Sequence, residues 1–250
     1  LKLGSGGATG TLRGSLTVNA GATVDYTADN TFGYTSGVSI NSLQINGGTV
    51  GGANFNQHFW NNFQLGMTGG ALHLGGATNE WHNATITVNP SPTASQILGV
   101  GSTPQMRLRD GTPVTFNTAD GPAAVDLSVE VPITQNNGTS AMTKSGAGTM
   151  RLTAASTYTG TTAINAGTLL LTGSIGNSAT TIAAAATLAG TGTIGGTVTN
   201  NGTLSPGDAA PGTLTANNTL TLANASSISW LVSDWSGSAG TGYSSITTSS

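Results

Sequence analysis

The sequence predicts an all-β fold, a right-handed parallel β-helix (solenoid) with about 20 residues per coil. Two patterns indicate it. One is a corner phrase that recurs along the chain, with an apolar residue, then mostly Asn, a small residue and Gly. The other is a set of threonines that return at every nineteenth position: Thr149, Thr168 and Thr187; Thr153, Thr172 and Thr191; Thr161 and Thr180. A fixed period of about 20 residues, rich in Thr, Val, Ile and Gly, is typical of a solenoid.

The corner phrase predicts a strand, a tight turn and a second strand. It occurs at Val18–Gly21, Ile45–Gly48, Met67–Gly70 and Ile164–Gly167. Gly and Asn accept left-handed backbone angles, whereas the β-branched residues on either side favour extended chain. We therefore expect structural corners at Asn19, Gly21, Asn46, Gly48, Asn165 and Gly167. We expect the core of the solenoid to contain Val18, Ile45, Ile164, Leu169, Leu171, Leu188 and Ile194.

The whole chain is expected to form one continuous solenoid, as a fragment of a longer exported polypeptide. The expected regions are regular coils at 1–52, irregular aromatic-rich coils at 53–98, proline-interrupted coils at 99–140, clean 19-residue repeats at 141–222, and a terminal coil or cap at 223–250. Gly4-Ser5-Gly6-Gly7 predicts a turn, because no phosphate-loop lysine follows it.

Charged residues are scarce, at 6% of 250 residues with a formal net charge of −3. Side chains on neighbouring coils lie about 4.8 Å apart, so like charges would repel while Thr, Ser and Asn can hydrogen-bond along the stack. The absence of a basic patch argues against nucleic acid as a partner. No apolar run approaches the roughly 20 residues of a membrane helix, so we expect no membrane span in this fragment. The lack of cysteine suits an exported protein.

One segment of the chain resembles a known family. Residues Met142–Leu171 are similar to the autotransporter-associated β-strand repeat, also called the passenger-associated transport repeat, whose pattern is LTKxGxGTLxLxxxNTYTGxTxxNxGTLxL. Ser156 stands where the family usually has Asn, and Met142 and Met150 replace Leu. The resemblance implies a right-handed parallel β-helix that is extracellular or on the bacterial outer cell surface. It implies no catalytic residues, because the family motif contains none.

Aromatic and histidine side chains concentrate within residues 55–82, where all three histidines lie. One interpretation is a ligand-binding or sugar-stacking patch. The other is that these large side chains fill a wide coil or anchor a lateral loop. The residues of the candidate ligand site are Phe59, Trp60, His73, Glu80, Trp81 and His82. The spacing of the histidines matches no zinc motif, so we expect no metal and no cofactor.

The carboxylates do not predict a catalytic centre. Glycan-cleaving β-helices need clustered carboxylates or a carboxylate with basic partners in a groove. Arg107 and Asp126 are separated by nineteen positions, and Asp110 and Glu130 by twenty. At one coil of separation, the first pair would form an inter-coil salt bridge. The second pair would stack as like charges, which can bind a cation or share a proton. We expect no enzyme activity.

Three functions fit these patterns. The first is an extracellular structural or adhesive β-helix that forms a surface stalk, passenger or matrix element. The second is a self-assembling extracellular fibre subunit that associates end to end or laterally with itself, because an uncapped β-helix offers unpaired strand edges. The third is a glycan-binding or glycan-degrading β-helix with surface glycans as partners, which the lack of a charged cluster disfavours.

Overall fold

The computed structural model describes residues 1–4, 7–8, 10–35, 39–60 and 62–249. These residues form a right-handed parallel β-helix and contain no helix, as the sequence predicts. The turn expected at Gly4-Ser5-Gly6-Gly7 includes residues 5 and 6, which lie outside the described residues. Each full coil passes through three faces in a constant order, because strands recur in sheet 2, then sheet 1, then sheet 3 or sheet 4.

The four sheets run along the solenoid axis. Sheet 1 contains the strands Lys2–Leu3, Thr23–Tyr26, Thr49–Gly51, Ala71–Leu74, Ser95–Gly99, Leu127–Val129, Thr149–Leu152, Gly167–Leu171, Ala186–Gly190, Thr203–Pro206 and Ser227–Ile228. Sheet 2 contains Gly14–Asn19, Ile40–Asn46, Gln64–Met67, Ala84–Val88, Val114–Thr118, Met142–Ser145, Thr162–Ile164, Thr180–Ile182, Val198–Asn200 and Leu220–Leu222. The third face begins as sheet 3, with His58–Phe59, Asn79–Trp81, Met106–Arg109 and Ile133–Asn136. It continues as sheet 4, with Ala155–Ser156, Ser174–Ile175, Thr193–Ile194, Thr213–Ala216 and Ser245–Thr248.

The length of a coil changes along the chain. In the repeats, Thr149 pairs with Thr168 and Thr168 pairs with Thr187, so the 19-residue period of the sequence is also the register of sheet 1. Upstream coils are longer, because Ser95 pairs with Leu127 on the next strand of the same sheet. The coil length expected from the sequence therefore describes the repeats and underestimates the coils before them. Their extra residues lie in the loops between strands.

The core is a continuous column of apolar side chains. Met150, Leu169 and Leu188 occupy one register position on successive strands of sheet 1, and all three are fully buried. Side chains alternate between the two sides of a strand, so every second residue joins the column. The seven residues expected in the core are at most 2% exposed: Val18, Ile45, Ile164, Leu169, Leu171, Leu188 and Ile194.

The left-handed backbone at the corners lies on glycine. Gly21 and Gly167 have φ of 77° and 64°, whereas in the second phrase it is Gly47, at 76°, rather than Gly48. A Cβ on Gly48 would lie 2.7 Å from the Asn19 carbonyl oxygen, so Gly48 permits close approach of neighbouring coils. Asn19 and Asn46 end strands, and their side chains form a 3.3 Å hydrogen bond to each other. Left-handed polar residues instead follow sheet 3, at Asn62, Asn83, Asp110 and Asn137.

Candidate functional site

The outer face of sheet 3 carries a group of ionisable side chains. His58, Glu80 and Arg107 occupy one register position on three adjacent strands. The next register position holds Phe59 and Trp81, which are buried in the core. Because side chains alternate along a strand, the first row faces outward. We define the Glu80 cluster as His58, Glu80, His82, Arg107, Arg109 and Asp110.

Glu80 is the centre of this cluster and is only 1% exposed. Its Oε1 accepts a hydrogen bond from Arg107 Nη2, its Oε2 accepts one from Arg109 Nη1, and His58 Nε2 lies 3.0 Å from Oε2. Burial alone would raise the pKa of Glu80, but the hydrogen bonds from Arg107 and Arg109 outweigh it and hold the pKa below its usual value. Glu80 is therefore an ionised carboxylate at neutral pH, covered by the side chains that bind it.

Two histidines flank Glu80 in neutral form. Burial lowers the pKa of both His58 and His82, against the opposing charges of Glu80 for His58 and of Asp110 for His82. His82 Nδ1 lies 3.3 Å from Asp110 Oδ2, and its ring centre is 3.9 Å from that of Trp60. On the other side, Tyr34 presents its ring edge-on to His58 at 5.7 Å between centroids. Aromatic rings thus border the cluster on two sides.

Nitrogen atoms without hydrogen-bond partners are concentrated in this region. Among the described residues, nine buried side-chain nitrogen or oxygen atoms have no partner. Six of the nine are ring or guanidinium nitrogens in or directly after the strands of sheet 3: His58 Nδ1, Trp60 Nε1, Trp81 Nε1, His82 Nε2, Arg107 Nε and Arg109 Nε. Indole and guanidinium nitrogens can only donate. In the neutral histidines the proton lies on the nitrogen that faces a carboxylate, so His58 Nδ1 and His82 Nε2 are acceptors. Arg109 Nε lies 3.5 Å from Asp110 Oδ1, which leaves the two indole nitrogens and Arg107 Nε as donors without a partner.

The structure separates the candidate ligand residues of the sequence into three groups. Phe59 and Trp81 lie in the core with ring centroids 4.2 Å apart, so neither offers a free face to a sugar. Trp60, Glu80 and His82 lie together at the Glu80 cluster. His73 lies in sheet 1, where its carbonyl accepts a hydrogen bond from buried Tyr26, and does not join them.

Arg107 and Arg109 are site residues that the sequence did not reveal. The expected salt bridge from Arg107 to Asp126 is wrong, because Arg107 binds Glu80 and Asp126 accepts hydrogen bonds from the backbone nitrogens of Gly121 and Thr149. Coils in this part of the chain are longer than the spacing between Arg107 and Asp126, since Arg107 pairs with Thr134 on the next strand of sheet 3. A correct coil length would have been the signal that joins Arg107 to Glu80.

The expected stacking of Asp110 on Glu130 is wrong for the same reason. Asp110 Oδ1 accepts a hydrogen bond of 2.6 Å from Asn137, which lies one such long coil away. Glu130 accepts one of 2.9 Å from Ser128 and lies 3.6 Å from Arg151. The two carboxylates therefore do not form a pair that could bind a cation or share a proton. No group of three or more His, Cys, Asp or Glu that could hold a metal occurs among the described residues.

Inside the C-terminal repeats, a buried lysine joins two neighbouring corners. Lys144 is fully buried, and its Nζ donates hydrogen bonds to the carbonyl oxygens of Ser145, Gly146 and Ala166 at 2.9, 2.8 and 3.1 Å. Burial lowers the pKa of Lys144 to about 8, against the opposing charge of Asp126. The ammonium group thus links one coil to the next.

A second buried network joins coils near Tyr158. The Tyr158 hydroxyl lies 2.6 Å from Thr162 Oγ1, which lies 2.7 Å from Ser178 Oγ, and that hydroxyl donates to the Gly160 carbonyl at 2.5 Å. A Cβ on Gly160 would lie 2.1 Å from the Ser140 carbonyl oxygen. Only glycine therefore allows the coils to approach this closely. These polar side chains satisfy each other inside the solenoid.

The remaining surface feature is a hairpin that leaves the solenoid before its last strand. Val232 and Tyr243 form an antiparallel bridge, and the Ser244 hydroxyl anchors the hairpin by donating to the Pro206 carbonyl. Trp230 is 50% exposed and Trp235 84% exposed beside an apolar groove of about 460 Å³. Among the described residues, no helix is long and apolar enough to cross a membrane.

Comparison with known proteins identifies one segment. Residues 142–171 match the family model of the passenger-associated transport repeat. This segment contains Lys144, Tyr158 and Gly160, whose contacts join neighbouring coils. No curated protein and no solved structure matches the chain.

Proposed function

We propose that this chain, a parallel β-helix that carries a passenger-associated transport repeat, is an extracellular structural element that serves as a surface stalk, passenger or matrix component with an adhesive role. The observation that carries the proposal is that three residues of the repeat motif join neighbouring coils. Lys144 and Tyr158 are buried in hydrogen bonds that link coils, and Gly160 permits their contact. Their role is structural, because the side chains of Lys144 and Tyr158 are fully buried and Gly160 has none.

The geometry of the sheets supports a stiff spacer. The eleven strands of sheet 1 within the described residues, at about 4.8 Å each, span about 50 Å along the axis. Thr181, Thr199 and Thr221 stand in register on the outer face of sheet 2. Such uncharged ladders stabilise stacking without the repulsion of like charges. A solenoid of this kind keeps the segments at its two ends at a fixed distance from each other.

We propose further that the chain lacks hydrolase and lyase activity. A general acid or base needs a carboxyl group within reach of a substrate proton. Glu80 is 1% exposed and bound by two arginines, and Asp126 is buried and bound by backbone nitrogens. Incubation with a panel of acidic and neutral polysaccharides should release no new reducing or unsaturated ends. Turnover that disappears in Glu80→Gln would refute this part of the proposal.

The location is tested on the cells that make the protein. Antibodies raised against the exposed hairpin between Trp230 and Tyr243 should label intact cells or the extracellular fraction. Antibodies against a cytoplasmic protein serve as the control and should label only permeabilised cells. Labelling of the hairpin that also requires permeabilisation would contradict an extracellular role.

A fibre subunit is the second candidate function. Within the described residues, Leu220–Leu222 pairs on one side only, and Leu222 is 48% exposed. An unpaired strand edge of this kind can hydrogen-bond to a strand of a second copy. Electron microscopy of the purified chain at high concentration should then show filaments, and a uniform monomer in ultracentrifugation would exclude this candidate.

A further inference from the structure

The Glu80 cluster is not explained by the stability of the solenoid. Uncharged pairs join coils at other places, such as Ser15 with Ser42 and Thr203 with Ser227, each at 2.9 Å. A buried ion pair is often no more stabilising than apolar residues of the same volume, because both charges lose their hydration. A chain in which only 6% of the residues are charged nevertheless places two arginines on one buried carboxylate. Such an arrangement is a candidate functional site, because buried charges with specific partners concentrate where ligands bind.

The two arginines are more exposed to solvent than the carboxylate that they bind. The Glu80 side chain is 1% exposed, whereas those of Arg107 and Arg109 are 23% and 33% exposed. The carboxylate therefore lies beneath the guanidinium groups and fixes their orientation. Asp110 is 37% exposed, but it lies close to His82 and Arg109 and accepts a hydrogen bond from Asn137. Two oriented guanidinium groups are suited to an oxyanion, which they bind through paired N–H donors.

The unpartnered nitrogens point to the same kind of ligand. Arg107 Nε and the Trp60 indole nitrogen are hydrogen-bond donors without partners. His82 is 3% exposed, and its unpartnered Nε2 is an acceptor in the neutral ring, because Nδ1 faces Asp110. A saccharide offers both acceptor oxygens and hydroxyl donors, so it can complete this set.

Aromatic side chains beside the arginines add a contact for a ring. Tyr34 is 40% exposed and meets His58 edge-on, and Trp60 is half-buried against His82. An aromatic ring offers an apolar face with a polar group at its rim, which matches the alternation of C–H and O–H groups on a pyranose. We propose that the Glu80 cluster binds an acidic saccharide, a glycan with carboxylate or sulfate groups, with its oxyanion on Arg107 and Arg109 and a sugar ring against Tyr34 or Trp60.

The experiment is isothermal titration calorimetry of the intact chain at low salt. The acidic probes are hexagalacturonate, which carries carboxylates, and a heparin hexasaccharide, which carries sulfates. The comparison probes are neutral maltohexaose and inorganic sulfate. We expect at least one acidic hexasaccharide to bind, with an affinity that falls several-fold between about 50 and 200 mM NaCl because salt screens the guanidinium charges. Maltohexaose should not bind, and sulfate alone should bind more weakly than the hexasaccharide.

Two variants and a matched control locate the site. Arg109→Gln removes one guanidinium and should weaken binding by about tenfold or more, the loss expected for a charged hydrogen bond. Tyr34→Ala removes an exposed ring beside His58 and leaves both arginines on Glu80, so it tests the site even if the arginine variant fails to fold. Arg151→Gln is the control, because Arg151 lies near Glu130 and Ser128 on sheet 1 and should bind as the wild type does.

Several results would overturn the proposal. These are no binding of either acidic probe, equal binding of maltohexaose, equal binding of inorganic sulfate with no effect of Tyr34→Ala, or an equal loss in Arg151→Gln. Circular dichroism and thermal melting of each variant separate lost binding from lost folding. The proposal goes beyond the role of a surface stalk, since a stalk that binds no glycan would still label on intact cells.

Discussion

The substitution Lys144→Met tests how the repeat holds a charge inside the solenoid. Lys144 is fully buried, and its Nζ donates hydrogen bonds to three carbonyl oxygens on two neighbouring corners. Methionine keeps an unbranched aliphatic stem but has no ammonium group. The variant therefore cannot bind or release a proton at this position, and it also loses the three hydrogen bonds.

The expected effect follows from the difference in pKa between the folded and unfolded chain. Burial lowers the pKa of Lys144 from 10.5 to about 8. Between these values the unfolded chain binds the proton more tightly, so the wild type gains stability as the pH rises. Integrating between pH 7 and about pH 9.5 gives a gain of about 2 kcal/mol in the free energy of unfolding. The methionine variant has no proton to release here and should not show this gain.

The assay is urea denaturation followed by circular dichroism at several pH values up to about 9.5. The range stops there because burial raises the pKa of Tyr26 and Tyr158, so their ionisation would lower stability above their ordinary value of 10. Lys2→Met, at an exposed lysine, is the control and should keep the wild-type gain. If the wild type and Lys144→Met differ by a constant amount across the range, the three carbonyls compensate the ammonium for its lost hydration, and our reasoning about burial is wrong.

Three further predictions concern stability. Glu80→Gln should lower the free energy of unfolding by about 2–4 kcal/mol at pH 7, because two arginines lose their carboxylate. Since the pKa of Glu80 is lowered in the folded chain, the difference from the wild type should shrink as the pH falls below 4.5. A difference in urea denaturation that does not change with pH would contradict this. Leu169→Ala should lower the free energy of unfolding by about 2–5 kcal/mol, because Leu169 is fully buried. Leu222→Ala is the control and should cost much less, because Leu222 is half-exposed. A loss below about 0.5 kcal/mol for Leu169→Ala would mean that this side chain is not in the core. Gly160→Ala should lower the melting temperature through its 2.1 Å clash with the Ser140 carbonyl oxygen, and an unchanged melting curve would show that the coils can separate at no cost.

The fold could be predicted where the sequence repeats. Thr149, Thr168 and Thr187 are spaced in the sequence as they are in sheet 1, because the corners between them are short and of constant length. The register of the earlier coils has no such signature. The loops that follow Gly99 and Thr118 add residues at the corners without leaving a period, so Ser95 pairs with Leu127. Corner loops of varying length leave no regular spacing in the sequence, so the register of the coils that they join cannot be predicted from spacing.

The Glu80 cluster could be predicted only in part, for the same reason. Trp60, Glu80 and His82 could be named because aromatic residues and histidines concentrate in this segment. Their partners Arg107 and Arg109 lie in the next coil, and the 19-residue period predicts the wrong sequence separation between those coils. Whether an aromatic ring is buried or exposed depends on which side of the strand it faces. Phe59 and Trp81 differ by one position from His58 and Glu80, and that single step places them in the core.

The 19-residue register has a consequence for how such a chain can change over generations. Thr149 and Thr168 occupy the same place on successive strands of sheet 1, and Thr162 is followed by Thr180 in sheet 2. In a solenoid each coil contacts only its neighbours. Loss of the codons for 149–167 would bring Thr168 to the place of Thr149, with the same partners before and after it. Unequal recombination between similar repeats can therefore shorten or lengthen the molecule by whole coils, while the Glu80 cluster, set in coils of unequal length, permits no such exchange.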